Sequence, residues 1–125
     1  MAEKVVFMLV NTQLDPPTSL GTPFFQATVA AAMDLEVEMY FAAETVKLLK
    51  KGVAENLYPG AAQEKSIYAF MQDAHELGVK FYACFGATDE HNVTPETAIP
   101  ELDGMRGGGA FIGDIVEEGV VALTY

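Results

Sequence analysis

The sequence predicts an α/β fold: one domain in three layers, a mostly parallel sheet with helices on both faces. Two patterns lead to that class. Apolar runs of strand length recur along the chain, and between them lie segments whose apolar residues return at i, i+3 and i+4. Strands that alternate with helices in this way are joined by crossovers, which makes the sheet parallel. Size is the third observation. At 125 residues the chain is long enough to bury a real core and short for two, so residues 1–125 are read as a single domain with no linker, repeat or low-complexity tract.

Val5 to Val10 is continuously apolar after a charged start, as expected of a central strand covered on both faces. It empties into Asn11-Thr12-Gln13-Leu14-Asp15-Pro16-Pro17, turn formers whose prolines cannot continue a ladder, and this loop is a candidate rim of a binding crevice. Thr22-Pro23 has the cap-plus-proline signature of a helix start, and that helix carries Phe25, Val29, Ala32 and Met33 on one face. Leu35 to Phe41 alternates, with Glu36, Glu38 and Tyr40 opposite Leu35, Val37, Met39 and Phe41. That pattern predicts a strand near a sheet edge or at a wet interface.

Ala43 to Lys51 reads as a helix with Val46 and Leu49 inward and Gly52 as its stop. Asn56 to Gly60 is a turn. Ser66 to Leu77 is the clearest helix, with Ile67, Phe70, Met71, Ala74 and Leu77 at helical spacing and Gly78 closing it. The run Gly78 to Gly86 is then a strand that delivers Cys84 to its end. Thr94-Pro95-Glu96-Thr97 repeats the cap-plus-proline signature, and Pro100 ends the short helix it predicts. A very short strand fits the glycine-rich stretch Asp103 to Ala110. A helix bearing Phe111, Ile112, Ile115 and Val116 precedes a last strand, Val120 to Tyr125.

Composition narrows the function. The net charge of −11 and pI near 4.3 oppose binding to DNA, RNA or anionic membrane, and are compatible with a basic protein partner. Acidic charge also keeps an apolar surface soluble, and half of the residues are hydrophobic with a mean hydropathy of +0.18. That surplus predicts apolar surface buried between subunits. No apolar stretch approaches the ~20 residues of a membrane-spanning helix. The run Val5 to Val10 is too short for a secretory signal, and a lone cysteine forms no internal disulfide, so a cytoplasmic location is expected.

Cys84 is the candidate reactive group, because open α/β sheets place ligands and reactive side chains at the carboxyl ends of their strands. Against this stands the tendency of free cysteine to behave as a small buried hydrophobe. To react it must be a thiolate, which exposed N–H groups after the strand would favour and Asp89 and Glu90, if close, would oppose. His91 follows near enough in sequence to assist proton transfer, although a loop histidine is more often solvated; His75 is read as structural. Gly107, Gly108 and Gly109, beside Arg106 and ahead of a helix, could cradle an anion, but the spacing fits neither the dinucleotide fingerprint nor the P-loop. Asn11, Thr12, Gly86, Gly107 and Gly108 are the candidate crevice residues. Asp89-Glu90-His91 has no second cluster to complete a metal site, no hydrolase constellation is apparent, and neither metal nor organic cofactor is expected.

The apolar first strand, the helix ending Glu76-Leu77-Gly78 and the run Gly78-Val79-Lys80-Phe81-Tyr82-Ala83-Cys84 together resemble the DsrE/DsrF-like family. So do the loop ending at Val93 and the close Gly109-Ala110-Phe111 to Val120-Val121-Ala122-Leu123-Thr124-Tyr125. The resemblance implies a five-stranded parallel sheet, assembly as homotrimers or homohexamers, and passage of sulfane sulfur between donor and acceptor proteins as a cysteine persulfide. Cys84 falls at the position of the sulfur-accepting cysteine of the DsrE and TusD subunits. The sequence departs from that pattern in the acidic residues after Cys84 and in lacking further cysteines. Family subunits without a working cysteine imply the alternative of a non-catalytic assembly or regulatory subunit. A small-ligand binder using the Asn11 and Gly107 loops is a third reading.

Overall fold

A computed structural model of the chain describes residues 2–125. Its strands are β1 (Lys4–Leu9), β2 (Glu36–Phe41), β3 (Lys80–Cys84), β4 (Leu102–Arg106) and β5 (Val120–Thr124). All pair in parallel, in the order β4-β3-β2-β1-β5. The α-helices are α1 (Gly21–Ala32), α2 (Ile67–Glu76), α3 (Phe85–Glu90) and α4 (Gly108–Ile115), so the three-layer α/β class predicted from sequence is the one observed.

The period of two along each strand assigns the faces. Val5, Phe7 and Leu9, Val37, Met39 and Phe41, and Phe81 and Ala83 point to one side. There they meet Phe24 and Ala27 of α1 and Ile67, Met71 and Ala74 of α2 in one buried cluster. Phe24 lies with its ring 6.0 Å from Phe41 and 6.2 Å from Phe81, a packing that joins helix to sheet at its centre. Each such side chain contributes about 1.5–3 kcal/mol by leaving water. The opposite face meets α4 through Phe111 and Asp114, which lie against Tyr40, and α4 buries none of its own residues.

Helix α2 matches its sequence signals. Ser66 caps it, its hydroxyl accepting from the Ala69 N–H at 3.1 Å, and Gly78 ends it at φ +98°, a backbone angle that side chains resist.

Five expectations are corrected. The β2 strand is not at an edge but in the middle of the sheet, between β1 and β3, with Glu38 and Tyr40 buried rather than wet. Correspondingly, β1 is interior but not central, flanked by β2 and β5. In α1 the face bearing Phe25, Val29 and Met33 points to solvent, because Pro23, Phe24, Ala27 and Ala30 supply the buried stripe. The segment Ala43–Leu49 is a 3₁₀ helix rather than an α-helix. Ala43 enters it at φ +52°, and the Thr45 hydroxyl shares its proton between the carbonyls of Leu9 at 2.8 Å and Ala42 at 2.6 Å, tying the turn to the end of β1. Thr94–Thr97 forms a turn and no helix: Thr97 Oγ1 accepts from the Thr94 N–H at 2.8 Å and donates to the Asn92 carbonyl at 3.0 Å, closing the backbone locally.

Candidate functional site: the β3–β4 strand ends

Cys84 is the last residue of β3 and occupies the N-cap position of α3; it is half-buried and free. The residues expected to form a loop after it therefore include a six-residue helix, Phe85–Glu90. Its ladder partner across β3 and β4 is Arg106, which is followed at once by Gly107, the N-cap residue of α4. After β3 the chain turns to the face that holds the core, where Ala87 and Val93 join the buried cluster. After β4 it turns to the opposite face, where Phe111 and Asp114 of α4 meet β2. Adjacent strand ends whose chains leave to opposite sides open a gap between them, the geometry in which α/β sheets hold ligands.

The structure thus brings Cys84, Gly86, Gly107 and Gly108 to neighbouring strand ends. A side-chain carbon built on Gly107 would lie 3.9 Å from the ring of Phe85, itself 57% exposed. His91 ends α3 as its C-cap residue, half-buried, and among the described residues no hydrogen bond joins it to Cys84. Asp89 and Glu90 are exposed on the same short helix. His75 sits elsewhere: Nε2 lies 3.1 Å from Asp103, whose carboxylate also accepts from the Phe81 N–H at 2.8 Å, and this links α2, β3 and β4. Asn11 and Thr12 follow β1, two strands from β3, and line a separate cavity. No group of three or more His, Cys, Asp or Glu able to hold a metal is found among the described residues.

Beneath Arg106 lies an ionic cluster that the sequence reading did not anticipate. Lys4 Nζ lies 3.0 Å from both Glu38 Oε2 and Asp114 Oδ1, and Tyr40 donates to Asp114 Oδ2. Arg106 Nη1 donates to the Tyr40 hydroxyl oxygen at 3.1 Å and lies 3.4 Å from Glu38 and 3.5 Å from Asp114. Its guanidinium carbon sits 3.8 Å above the ring of Tyr82. Burial, reinforced by the adjacent Asp114 and opposed by Lys4, raises the Glu38 carboxyl above its ordinary range. Burial works to raise Asp114 as well, but hydrogen bonding with Glu38, Tyr40 and Lys4 outweighs it and holds the acid at about 2. Tyr40 is pushed up to about 12, by burial first and by Asp114 next. Two carboxylates and two cations compensate one another and pin α4 to the sheet. The signal available in sequence was the Glu36-Glu38-Tyr40 alternation, which fits a wet edge as well as a buried ionic cluster.

The fold and this site define a class: a single-domain parallel α/β protein that presents one free thiol at the end of an interior strand. A family model, the DsrE/DsrF-like family, matches residues 4–118, and the chain belongs to that family. Among solved structures it is similar to the YchN protein of E. coli, with 15% identity, all of both chains covered and a TM-score of 0.69. A protein of unknown function from Methanobacterium thermoautotrophicum is similar at 17% identity over 98% of each chain, with a TM-score of 0.63. A conserved protein of unknown function from Bacteroides thetaiotaomicron has 14% identity and a TM-score of 0.55, over 98% of this chain and 95% of that one. These similarities are of fold. Comparison with curated proteins gives no match.

Proposed function

We propose that the protein is a cytoplasmic sulfur carrier that accepts sulfane sulfur as a persulfide on Cys84 and yields it to an acceptor protein. The observation that carries the reading is the placement of the chain's only cysteine, half-buried rather than sealed, at a strand end in a DsrE/DsrF-like fold. In the loading step the Cys84 thiolate attacks the outer sulfur of a donor persulfide. A sulfur–sulfur bond forms at Cys84, the donor's own breaks, and the donor leaves as a thiolate. Delivery is the same exchange in reverse sense: an acceptor thiolate takes the outer sulfur and Cys84 departs as thiolate. Neither step changes the overall oxidation level, so no redox cofactor is needed. His91 stays a candidate proton carrier, and Gly86, Gly107 and Gly108 give a partner backbone room to approach.

The donor and acceptor are proteins, with basic surface favoured by the net charge of −11. A homotrimer or homohexamer is the proposed assembly, supported by the exposed stripe Phe25, Val29 and Met33 on α1. The same stripe favours the second reading, an assembly subunit with an inert thiol. Intact mass after incubation with polysulfide separates the two. The carrier gains the mass of one or more sulfur atoms, reversibly with reductant, and Cys84→Ser gains none. No gain with any donor, and alkylation of Cys84 only after denaturation, would leave the assembly reading.

A further inference from the structure

The two edges of the sheet differ in how they are guarded. An edge strand turns unpaired N–H and C=O groups outward, and proteins blunt such rows with charges, prolines or bulges. At one edge β4 is guarded in this way: Asp103 and Arg106 are charged, Gly104 interrupts the side chains, and the register shifts between Phe81 and Tyr82 of β3. At the other edge β5 reads Val120-Val121-Ala122-Leu123-Thr124, with no charge, proline or glycine and an unbroken register against β1. Every position from Val121 to Thr124 is exposed, Val121 at 44% and Leu123 at 38%.

The hydrogen-bond phase of β5 shows which of its groups are free. Tyr125 donates its N–H to the Met8 carbonyl at 2.8 Å, and the Gly119 carbonyl accepts from the Lys4 N–H at 3.1 Å. Alternate residues of a parallel strand bond to the same neighbour, so Val121 and Leu123 also spend their groups on β1. Val120, Ala122 and Thr124 therefore turn N–H and C=O to the open edge. The side chains divide in the same way. Val121 and Leu123 are register partners of Val5 and Phe7 and stand on the core side of the sheet. Helix α1 packs over β1 and β2 on that side and leaves these two aliphatic residues open to solvent.

A second copy of the same strand, run antiparallel, fits this edge in one register. The outward groups pair when Ala122 faces Ala122 of the partner subunit, which sets Val120 opposite Thr124 of the partner subunit. The smallest side chain of the strand then stands on the two-fold axis. On the core side Val121 meets Leu123 of the partner subunit at the closer, non-hydrogen-bonded positions, so both exposed aliphatic residues of each copy are covered. Charge favours the same direction. Glu117 and Glu118 lead into β5, and an antiparallel ribbon holds the two acidic pairs at opposite ends, where a parallel one would set them side by side. In a chain of net charge −11, an uncharged strip is also where two copies approach with least repulsion. A patch that matches its own copy is the mark of an isologous contact. We propose that β5 is a two-fold interface at which two copies of this chain join their sheets into one continuous sheet. It is separate from the α1 stripe and from Cys84, and rests on neither.

Position-specific cross-linking of the full chain tests this. In a Cys84→Ser background the introduced thiol is the only one, so failure of the carrier reading leaves the result untouched. Ala122→Cys sets two thiols across the axis with Cα atoms about 5.5 Å apart, and mild oxidation or a short bifunctional maleimide should convert most of the chain to a covalent dimer. The two copies of Val120 stand roughly 14 Å apart in this register. Val120→Cys should therefore give little dimer alone and a strong yield when mixed with Thr124→Cys. Ala122→Pro removes an outward N–H without touching the bonds to β1, a place where an edge strand tolerates proline. It should keep the circular dichroism of the wild type while the mass in light scattering falls about twofold, whatever the α1 stripe assembles. If Ala122→Pro unfolds, the cross-linking pattern decides alone. The proposal is overturned by a wild-type chain that scatters as a monomer at micromolar concentration or by a folded Ala122→Pro of unchanged mass. Absence of dimer from Ala122→Cys, or Val120→Cys linking to itself as readily, overturns it equally.

Discussion

Glu38 and Asp114 share one site, and the consequences of that sharing are opposite for the two carboxyls. Asp114 is held below its ordinary range by the Glu38, Tyr40 and Lys4 groups it bonds, whereas burial and the neighbouring Asp114 raise Glu38 above its own. Asp114→Asn removes the ionised half and leaves the cations undercompensated, with an expected loss of about 2–4 kcal/mol. Glu38→Gln keeps the shape and removes a carboxylate whose charged form burial already disfavours, and should cost less than Asp114→Asn; urea midpoints of the two variants compare them directly. An Asp114 acid held at about 2, below its ordinary 3.8, contributes stability above pH 3.8 that is lost as pH falls toward 2. Glu38, raised from 4.5, works the other way and loses its contribution as pH rises through its elevated value. At the alkaline end Tyr40 and Tyr68 both sit at about 12 rather than 10, so stability present below pH 10 is lost between 10 and 12. The double variant Tyr40→Phe with Tyr68→Phe should flatten that limb, read as melting temperature against pH.

At the scale of elements, legibility followed how many independent signals a segment carried. Helix α2 had a periodic apolar face and a closing glycine, both read from sequence, and the structure adds the Ser66 cap. Ser66→Ala there should cost about 1 kcal/mol, measurable by thermal unfolding. Helix α1 carries apolar residues on more than one side, with only Thr22, Gln26 and Thr28 to break them, and which stripe faced inward was set by where Phe24 reached Phe41 and Phe81 across the sheet, a tertiary fact. The strand position of Cys84 was readable because β3 is local, while its pairing with Arg106 needed β4 to be placed. The outward stripe of α1 yields a further expectation. If the proposed homo-oligomer forms through this stripe, Phe25→Glu combined with Val29→Glu should change monomer stability little and give smaller species in light scattering than the wild-type chain; a wild-type chain that scatters as a monomer removes the proposal.

For the molecule as a whole, the parallel pairing of β1 with β5 joins residues far apart in the chain: Lys4 is the register partner of Val120, and its ammonium is bound by Asp114. On a ribosome adding ~5–20 residues per second, β1 is in solution on the order of ten seconds before β5 is made. Throughout that interval one side of β1 has no neighbour, and the Lys4–Glu38 pair has neither Asp114 nor Arg106 to complete it. The sheet half built from β1, β2 and β3 is therefore, until β5 arrives, a nascent chain with a bare strand edge and an uncovered charged face. The strand that seals it, β5, comes after all the others in chain order.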